Sequence, residues 1–214
     1  MIPLGTFRSS HMKAASMTPA LTSVRIRPPV TVVRGSDLHP MHFPEILAIL
    51  LPKWQDTDPY LDDIATVMRN AGDDILVRIA DGQIDGVLRT KCILADGDPR
   101  RVPATFEQLV GPYWSRRDPN PDTRILVDLT KLDGASGVAK TLIASALDRF
   151  QEPNLGTFSP EDAVGLHTHF GACAVRGIPA GRPRHAPPHV IVMCYRGFAR
   201  RDRVEPALNR SRVR

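Results

Sequence analysis

The stretch Leu126-Val127-Asp128-Leu129-Thr130-Lys131-Leu132-Asp133-Gly134-Ala135-Ser136-Gly137-Val138-Ala139-Lys140 constrains this chain more than any other. An apolar strand runs into a loop of small residues, and the loop opens a helix. Val138, Ala139, Leu142, Ile143, Ala146, Leu147 and Phe150 recur at helical spacing and predict a helix over 138–150 with one buried face. The first N–H groups of a helix lack intrahelical partners, and the helix dipole adds a positive field at that end. Gly134 and Gly137 let a large anion approach the backbone closely. The segment therefore reads as a cradle for a phosphate-bearing molecule. Two common phosphate loops are excluded. No Gly-Lys-Ser or Gly-Lys-Thr closes the loop, and Gly134 and Gly137 do not follow the Gly-x-Gly-x-x-Gly spacing of dinucleotide binders.

The rest of the body supplies a mixed α/β pattern. Val30–Arg34 reads as a strand, and Pro40 to Pro52 encloses a short helix with Pro44 in its first turn. Pro59–Asn70 reads as a second helix, with Tyr60, Ile64, Val67 and Met68 on one face and Ala71-Gly72 at its end. Two β-rich runs, Ile75–Ala80 and Gln83–Thr90, flank Asp81-Gly82 and predict a hairpin. Arg124–Thr130 is the strand that leads into the small-residue loop. Strict alternation puts Ile125, Val127 and Leu129 on one face, and Leu126, Asp128 and Thr130 on the other. Residues 151–156 read as an exit turn, Thr157–Pro160 as a strand, and Val190–Tyr195 as the closing strand, with a Pro/Arg/His loop over 179–188 before it. The segment 95–123 is rich in Pro, Asp, Arg and Gly, yet holds Tyr113 and Trp114. It reads as a lid or specificity loop, with those two aromatics as substrate contacts or as pins to the core.

In this order the elements resemble the GNAT superfamily of N-acetyltransferases. Gly137-Val138-Ala139 before an amphipathic helix is similar to the acyl-CoA pyrophosphate loop of that family, whose Gln or Arg position falls here on Gly134. The 75–90 hairpin is similar to the family's second and third strands. The Thr157–Pro160 strand, followed by a short helix ending at Phe170-Gly171-Ala172, is similar to its fifth strand and the helix after it. The resemblance covers residues 30–195. It implies a mixed, mostly antiparallel central sheet flanked by helices, and transfer of an acyl group from acetyl-CoA or another acyl-CoA to a small amine.

The resemblance also implies roles. The backbone near Leu129 and Thr130 would donate to the thioester oxyanion and pair with the pantetheine arm. Gly134, Ala135, Ser136, Gly137, Val138, Ala139 and Lys140 would hold the pyrophosphate. The family often places a Tyr four residues before the Gly of its short helix; that position is His167, and an imidazole performs the same proton transfer. Asp128 is the candidate base, because a carboxylate within an apolar strand is costly unless paired or functional; its other reading is a structural carboxylate held by an arginine or by backbone N–H groups. The same fold also admits a lyase or decarboxylase using Thr130 and His167, or a domain that binds coenzyme A without turnover. Dimers are common in the family, with the last strand as the contact edge.

Charge and composition narrow the partners. The chain carries a formal +5, which suggests nucleic acid at first. Seven Arg lie in residues 196–214 against Asp202 and Glu205, and Arg8, Lys13, Arg25 and Arg27 lie in 1–29 without an acid. The body between is therefore net acidic, which argues against a nucleic-acid groove within the fold and for a cationic or neutral acceptor. Residues 1–29, with Ser9-Ser10-His11-Met12 resembling a cloning junction, are read as disordered or cloning-derived, and 196–214 as a basic tail. No apolar run has the ~20 residues of a membrane span. Cys92, Cys173 and Cys194 show neither disulfide nor metal-ligand spacing, so a cytoplasmic setting and no metal are expected.

Overall fold

Seven strands form one sheet in the order β1-β2-β3-β4-β5-β7-β6 in a computed structural model that describes residues 29–54, 58–103, 120–179 and 189–198. The strands are β1 (Val30–Arg34), β2 (Ile75–Ala80), β3 (Gln83–Ile93), β4 (Thr123–Lys131), β5 (Asn154–Pro160), β6 (Cys173–Pro179) and β7 (His189–Arg196). Every neighbouring pair is antiparallel except β4 and β5, which run parallel and are joined through a helix. The helices are α1 (Phe43–Trp54), α2 (Ile64–Ala71), α3 (Val138–Arg149) and α4 (Val164–His169). This is the mixed, mostly antiparallel, helix-flanked sheet expected from sequence. Residues 104–119, with Tyr113 and Trp114, lie outside the described residues, as do 1–28, 180–188 and 199–214.

Both faces of the central strands are covered, which is why their sequences read as apolar runs rather than as alternation. Ile75 and Val77 of β2, with Ile84 and Val87 of β3, pack against Ile46, Ile49 and Leu50 of α1 and Val67 and Met68 of α2. Leu76, Leu88, Leu126 and Leu155 pack on the other face against Val138, Leu142 and Ala146 of α3. Leu142 and Ile143 are fully buried, each contributing about 1.5–3 kcal/mol of transfer free energy. The Asp81-Gly82 turn has both residues at positive φ (54° and 76°), the backbone of a tight hairpin whose twist matches its strands.

Two boundaries and one alternation differ from the sequence reading. α1 continues through Pro52 to Trp54; Pro52 has no N–H for the Ala48 carbonyl, but burial of Trp54 carries the helix past it. β5 starts at Asn154 rather than Thr157, because Leu155 is fully buried and the Asn154 amide is anchored on Asp122. The third difference is the alternation along β4. The β3–β4 register steps from Arg89↔Asp128 to Thr90↔Leu126, leaving Val127 as an extra residue on β4. That bulge reverses the phase of everything after it. Leu129 joins Leu126 on the α3 side, while Asp128 and Thr130 turn to the last residues of α1.

The bulge sits where β4 leaves β5. Their pairing runs from Thr123↔Asn154 to Leu126↔Thr157 and stops, and the Thr157 hydroxyl donates to the Leu126 carbonyl (3.0 Å) at the last rung. Beyond it β4 pairs with β3 alone and β5 with β7 alone. The sheet thus opens into a V whose arms are Val127–Lys131 and Phe158–Pro160.

α3 is seated over the sheet by Gly86 of β3. A Cβ at Gly86 would stand 2.1 Å from Val138 Cγ1, at the first residue of the helix. Gly86→Ala is expected to cost about 1–3 kcal/mol by overpacking, and a second change, Val138→Ala, to recover part of it. Urea unfolding of the single and double variants checks this; a Gly86→Ala protein as stable as the parent contradicts the packing.

Candidate functional site

The open arm of β4 runs directly into the loop 132–137. Leu132 N–H donates to Asp85 O (3.0 Å), which pins the loop to the start of β3. Ala135 N–H donates to Leu132 O (3.1 Å), and the Lys131 ammonium donates to Ala135 O (3.1 Å). Gly134 and Gly137 lie at φ +79° and +70°, a conformation that favours glycine, and open space surrounds both. Gly137 is the N-cap of α3 and offers no capping side chain. Within 132–137, Leu132 and Ala135 alone give their backbone N–H to an acceptor among the described residues. The donors of Ser136 and Gly137 and of the first turn of α3 have no such acceptor, and Ser136 and Gly137 are exposed.

A cleft of about 720 Å³ adjoins this loop. Its wall is made by Ala48, Ile49, Pro52 and Lys53 of α1 on one side and by Leu129, Thr130, Lys131, Leu132 and Asp133 on the other. Of the residues selected from sequence, Leu129 and Thr130 thus share one surface, which leads on to Gly134–Lys140.

Asp128 lies behind that wall with its side chain fully buried. Its Oδ2 accepts from Arg89 Nε (3.1 Å), its Oδ1 from Lys53 Nζ (3.0 Å), and both oxygens approach the Thr130 hydroxyl (3.0 and 3.2 Å). Arg89, 1% exposed, also pairs with buried Asp58 through Nη1 (2.5 Å). Trp54 Nε1 donates to Thr130 Oγ1 (3.3 Å), and the Lys53 and Arg89 cations lie 4.9 and 5.2 Å from the Trp54 ring centroid. Four charges alternate in sign, Asp58–Arg89–Asp128–Lys53, and only Lys53, half-exposed, reaches the cleft. Arg89, Asp58, Lys53 and Trp54 were not legible as a group in the sequence. The paired signal was an arginine inside a β-rich hairpin strand, whose partners lie on other elements.

His167 lies on α4, the helix that follows β5. It is buried, and its Nδ1 is 2.5 Å from Tyr195 Oη on β7. Burial holds the imidazole below its ordinary value of 6.5 and pushes the Tyr195 phenol up. Both groups are accordingly neutral at neutral pH, with Tyr195 donating when the ring proton is on Nε2 and accepting when it is on Nδ1. No hydrogen bond or ion pair joins Asp128 to His167 among the described residues. The described residues also hold no cluster of three or more His, Cys, Asp or Glu able to bind a metal, and no helix long and apolar enough to cross a membrane.

A fold of this kind is matched among solved structures. The chain is similar to the loading GNATL domain of CurA from Lyngbya majuscula, at TM-score 0.58 and 10% identity, over 78% of this chain and 98% of that one. The GphF GNAT-like decarboxylase in complex with isobutyryl-CoA is similar at TM-score 0.55 and 14% identity, over 78% and 98%. An acetyltransferase of the GNAT family from Streptococcus pneumoniae is similar at TM-score 0.53 and 12% identity, over 78% and 98%. This chain has the GNAT fold. No family model and no curated protein sequence matches it. Structures of the GNAT fold thus include both acetyltransferases and a decarboxylase.

The charge chain behind the cleft makes its two cations unequal. Arg89→Met leaves Asp58 and Asp128 buried beside each other without their shared cation, and is expected to cost about 3–5 kcal/mol. Lys53→Met, at a half-exposed position, is expected to cost under about 1 kcal/mol. Urea unfolding compares the two; equal losses contradict the assignment of Arg89 as the central cation.

Proposed function

We infer that this protein is an acyl-CoA-dependent enzyme that moves an acyl group from coenzyme A to a small amine by direct transfer. The observation that carries the reading is the unpaired arm of β4, continuous with a loop that presents its amides at the start of α3. The pantetheine arm, itself an amide chain, adds to the β4 edge in the manner of a strand. The pyrophosphate takes the amides of Gly134–Lys140 and the dipole of α3, with Lys131 and Lys140 adding positive charge. Leu129 supplies a backbone donor for the oxyanion as the amine attacks the thioester carbonyl. His167, neutral and held by Tyr195, accepts the proton that the amine nitrogen sheds after adding to the thioester and passes it to the departing thiolate. Asp128 positions Lys53 and Thr130 at the cleft wall, in place of the base role expected from sequence, because both its oxygens are already engaged. Loss of the ammonium proton before attack is left to solvent.

That engagement favours a second reading. Decarboxylation of an acyl-CoA or carrier-bound acyl group needs no base for an amine. The bond to the departing carboxylate breaks, its electron pair passes into a thioester enolate, and the enolate oxygen takes the same β4 donors. A proton then returns to carbon from His167, with Thr130, held by Trp54, at the acyl end. The GNAT-like decarboxylase of similar fold lends this chemistry support.

Calorimetry with coenzyme A and acetyl-CoA tests the shared part of both readings. Binding to the parent chain that falls at least about tenfold in Gly137→Glu, about 1.4 kcal/mol, is the expected outcome; no binding to the parent overturns it. Product analysis with acetyl-CoA plus amines, and with malonyl-CoA alone, then separates acylated amine from carbon dioxide. Binding with neither product leaves a coenzyme A-binding module and contradicts both reactions.

A further inference from the structure

The three cysteines show no paired spacing in sequence, but the fold brings two of them together. β6 and β7 are antiparallel, and their register sets Cys173 directly opposite Cys194. Directly opposed residues project from the same face of the sheet, with Cα atoms about 4.5 or 5.5 Å apart according to the type of pair. Both spacings fall inside the range of about 4.4–6.8 Å that disulfides span. Cys173 is exposed, Cys194 is half-buried, and both are reduced. The Cys194 thiol at present donates along its own strand to Arg196 O (3.1 Å), a bond that a bridge would replace. The ladder shifts register just beyond the pair, between Ala174 and Arg176, so the start of β6 is locally irregular. Cys92 has no share in this chemistry. It lies buried on β3, with β4 and β5 between it and β7, and donates to Glu152 (3.4 Å). Burial pushes its thiol up to about 12.

We propose that Cys173 and Cys194 form a redox-active dithiol that closes into a cross-strand disulfide on reaction with a small disulfide oxidant. The exposed Cys173 thiolate attacks one sulfur of the oxidant, forming a mixed disulfide and releasing one small thiolate, which takes up a proton. Cys194 gives its proton to solvent and attacks the Cys173 sulfur, releasing the second small thiol. Two protein thiols are oxidised, and one small disulfide is reduced to two thiols. Burial also pushes the Cys194 thiol up, which fits Cys194 as the resolving rather than the attacking group.

The bridge falls at a consequential place. Cys173 begins β6 directly after the turn in which Phe170 and Ala172 donate back to His167 O. Cys194 immediately precedes Tyr195, the partner of His167. Closing the disulfide staples the exit of α4 to β7 on either side of the His167–Tyr195 contact. The dithiol stands on the strand register alone and is independent of the acyl-CoA reading.

The experiment is oxidation of the folded full chain with oxidised glutathione, followed by digestion and mass spectrometry without reductant. The expected result is a monomer that has lost two titratable thiols and the mass of two hydrogens, with a single peptide pair linking Cys173 to Cys194, reversed by dithiothreitol. Cys194→Ser is expected to stop at a glutathione adduct on Cys173, and Cys92→Ser to behave as the parent. A parent chain that also stops at the Cys173 adduct, that bridges only between two copies, that links Cys92, or that loses no thiol overturns the proposal.

Discussion

The structure depends on one break in a hydrogen-bonded ladder. β4 and β5 are held together by four residue pairs and then part, and Leu129, Thr130 and the loop 132–137 lie on the far side of that point. The extra residue at Val127 explains the departure. A bulge bends and twists its strand, and this one falls immediately after the last β4–β5 rung. It also decides which side chains face the cleft. Without it, Leu129 would share a face with Val127, and Asp128 and Thr130 would point with Leu126 into α3. With it, Leu129 seals the α3 side, while Asp128 and Thr130 reach Lys53 and Trp54.

A strand that leaves its neighbour needs support from elsewhere, and ionic networks stand at both ends of β4. At the splayed end Asp58, Arg89, Asp128 and Lys53 tie β3 and β4 to the end of α1. At the paired end Arg124 donates to Asp74 (2.7 Å), Thr90 (2.7 Å) and Glu152 (2.6 Å) and lies 3.9 Å from the Phe150 ring centroid, joining β3, β4 and the end of α3. Buried ion pairs of this kind gain little over apolar packing, but are costly to break. Their effect here is to fix register at both ends of the strand that carries the cleft.

Local chemistry made much of this visible in the sequence. Asp81-Gly82 announced a hairpin because few residue pairs accept two positive φ values, and α3 was legible from its apolar stripe. The glycine loop was legible because Gly134 and Gly137 stand where a small-residue run meets a helix, and both take left-handed φ. What stayed hidden is non-local. The bulge at Val127 is a mismatch between two strands, and no residue type on β4 alone marks it. Asp128 was singled out correctly as a carboxylate out of place, but its partners Arg89 and Lys53 come from elements 39 and 75 positions away in sequence. Tyr195 beside His167, and Cys173 opposite Cys194, likewise arise only once β7 is placed between β5 and β6.

On the proposed function, the splayed arm and the glycine loop form one continuous binding surface. Mapping backbone amide shifts by NMR during addition of coenzyme A tests it most directly. Perturbations are expected in Val127–Lys131, in Gly134–Lys140 and at Phe158 and Ser159, with the Arg124 end of β4 unchanged. Shifts centred on Arg34, Arg124 and Arg149, which line a separate cavity of about 310 Å³ at the paired end of the sheet, would contradict it.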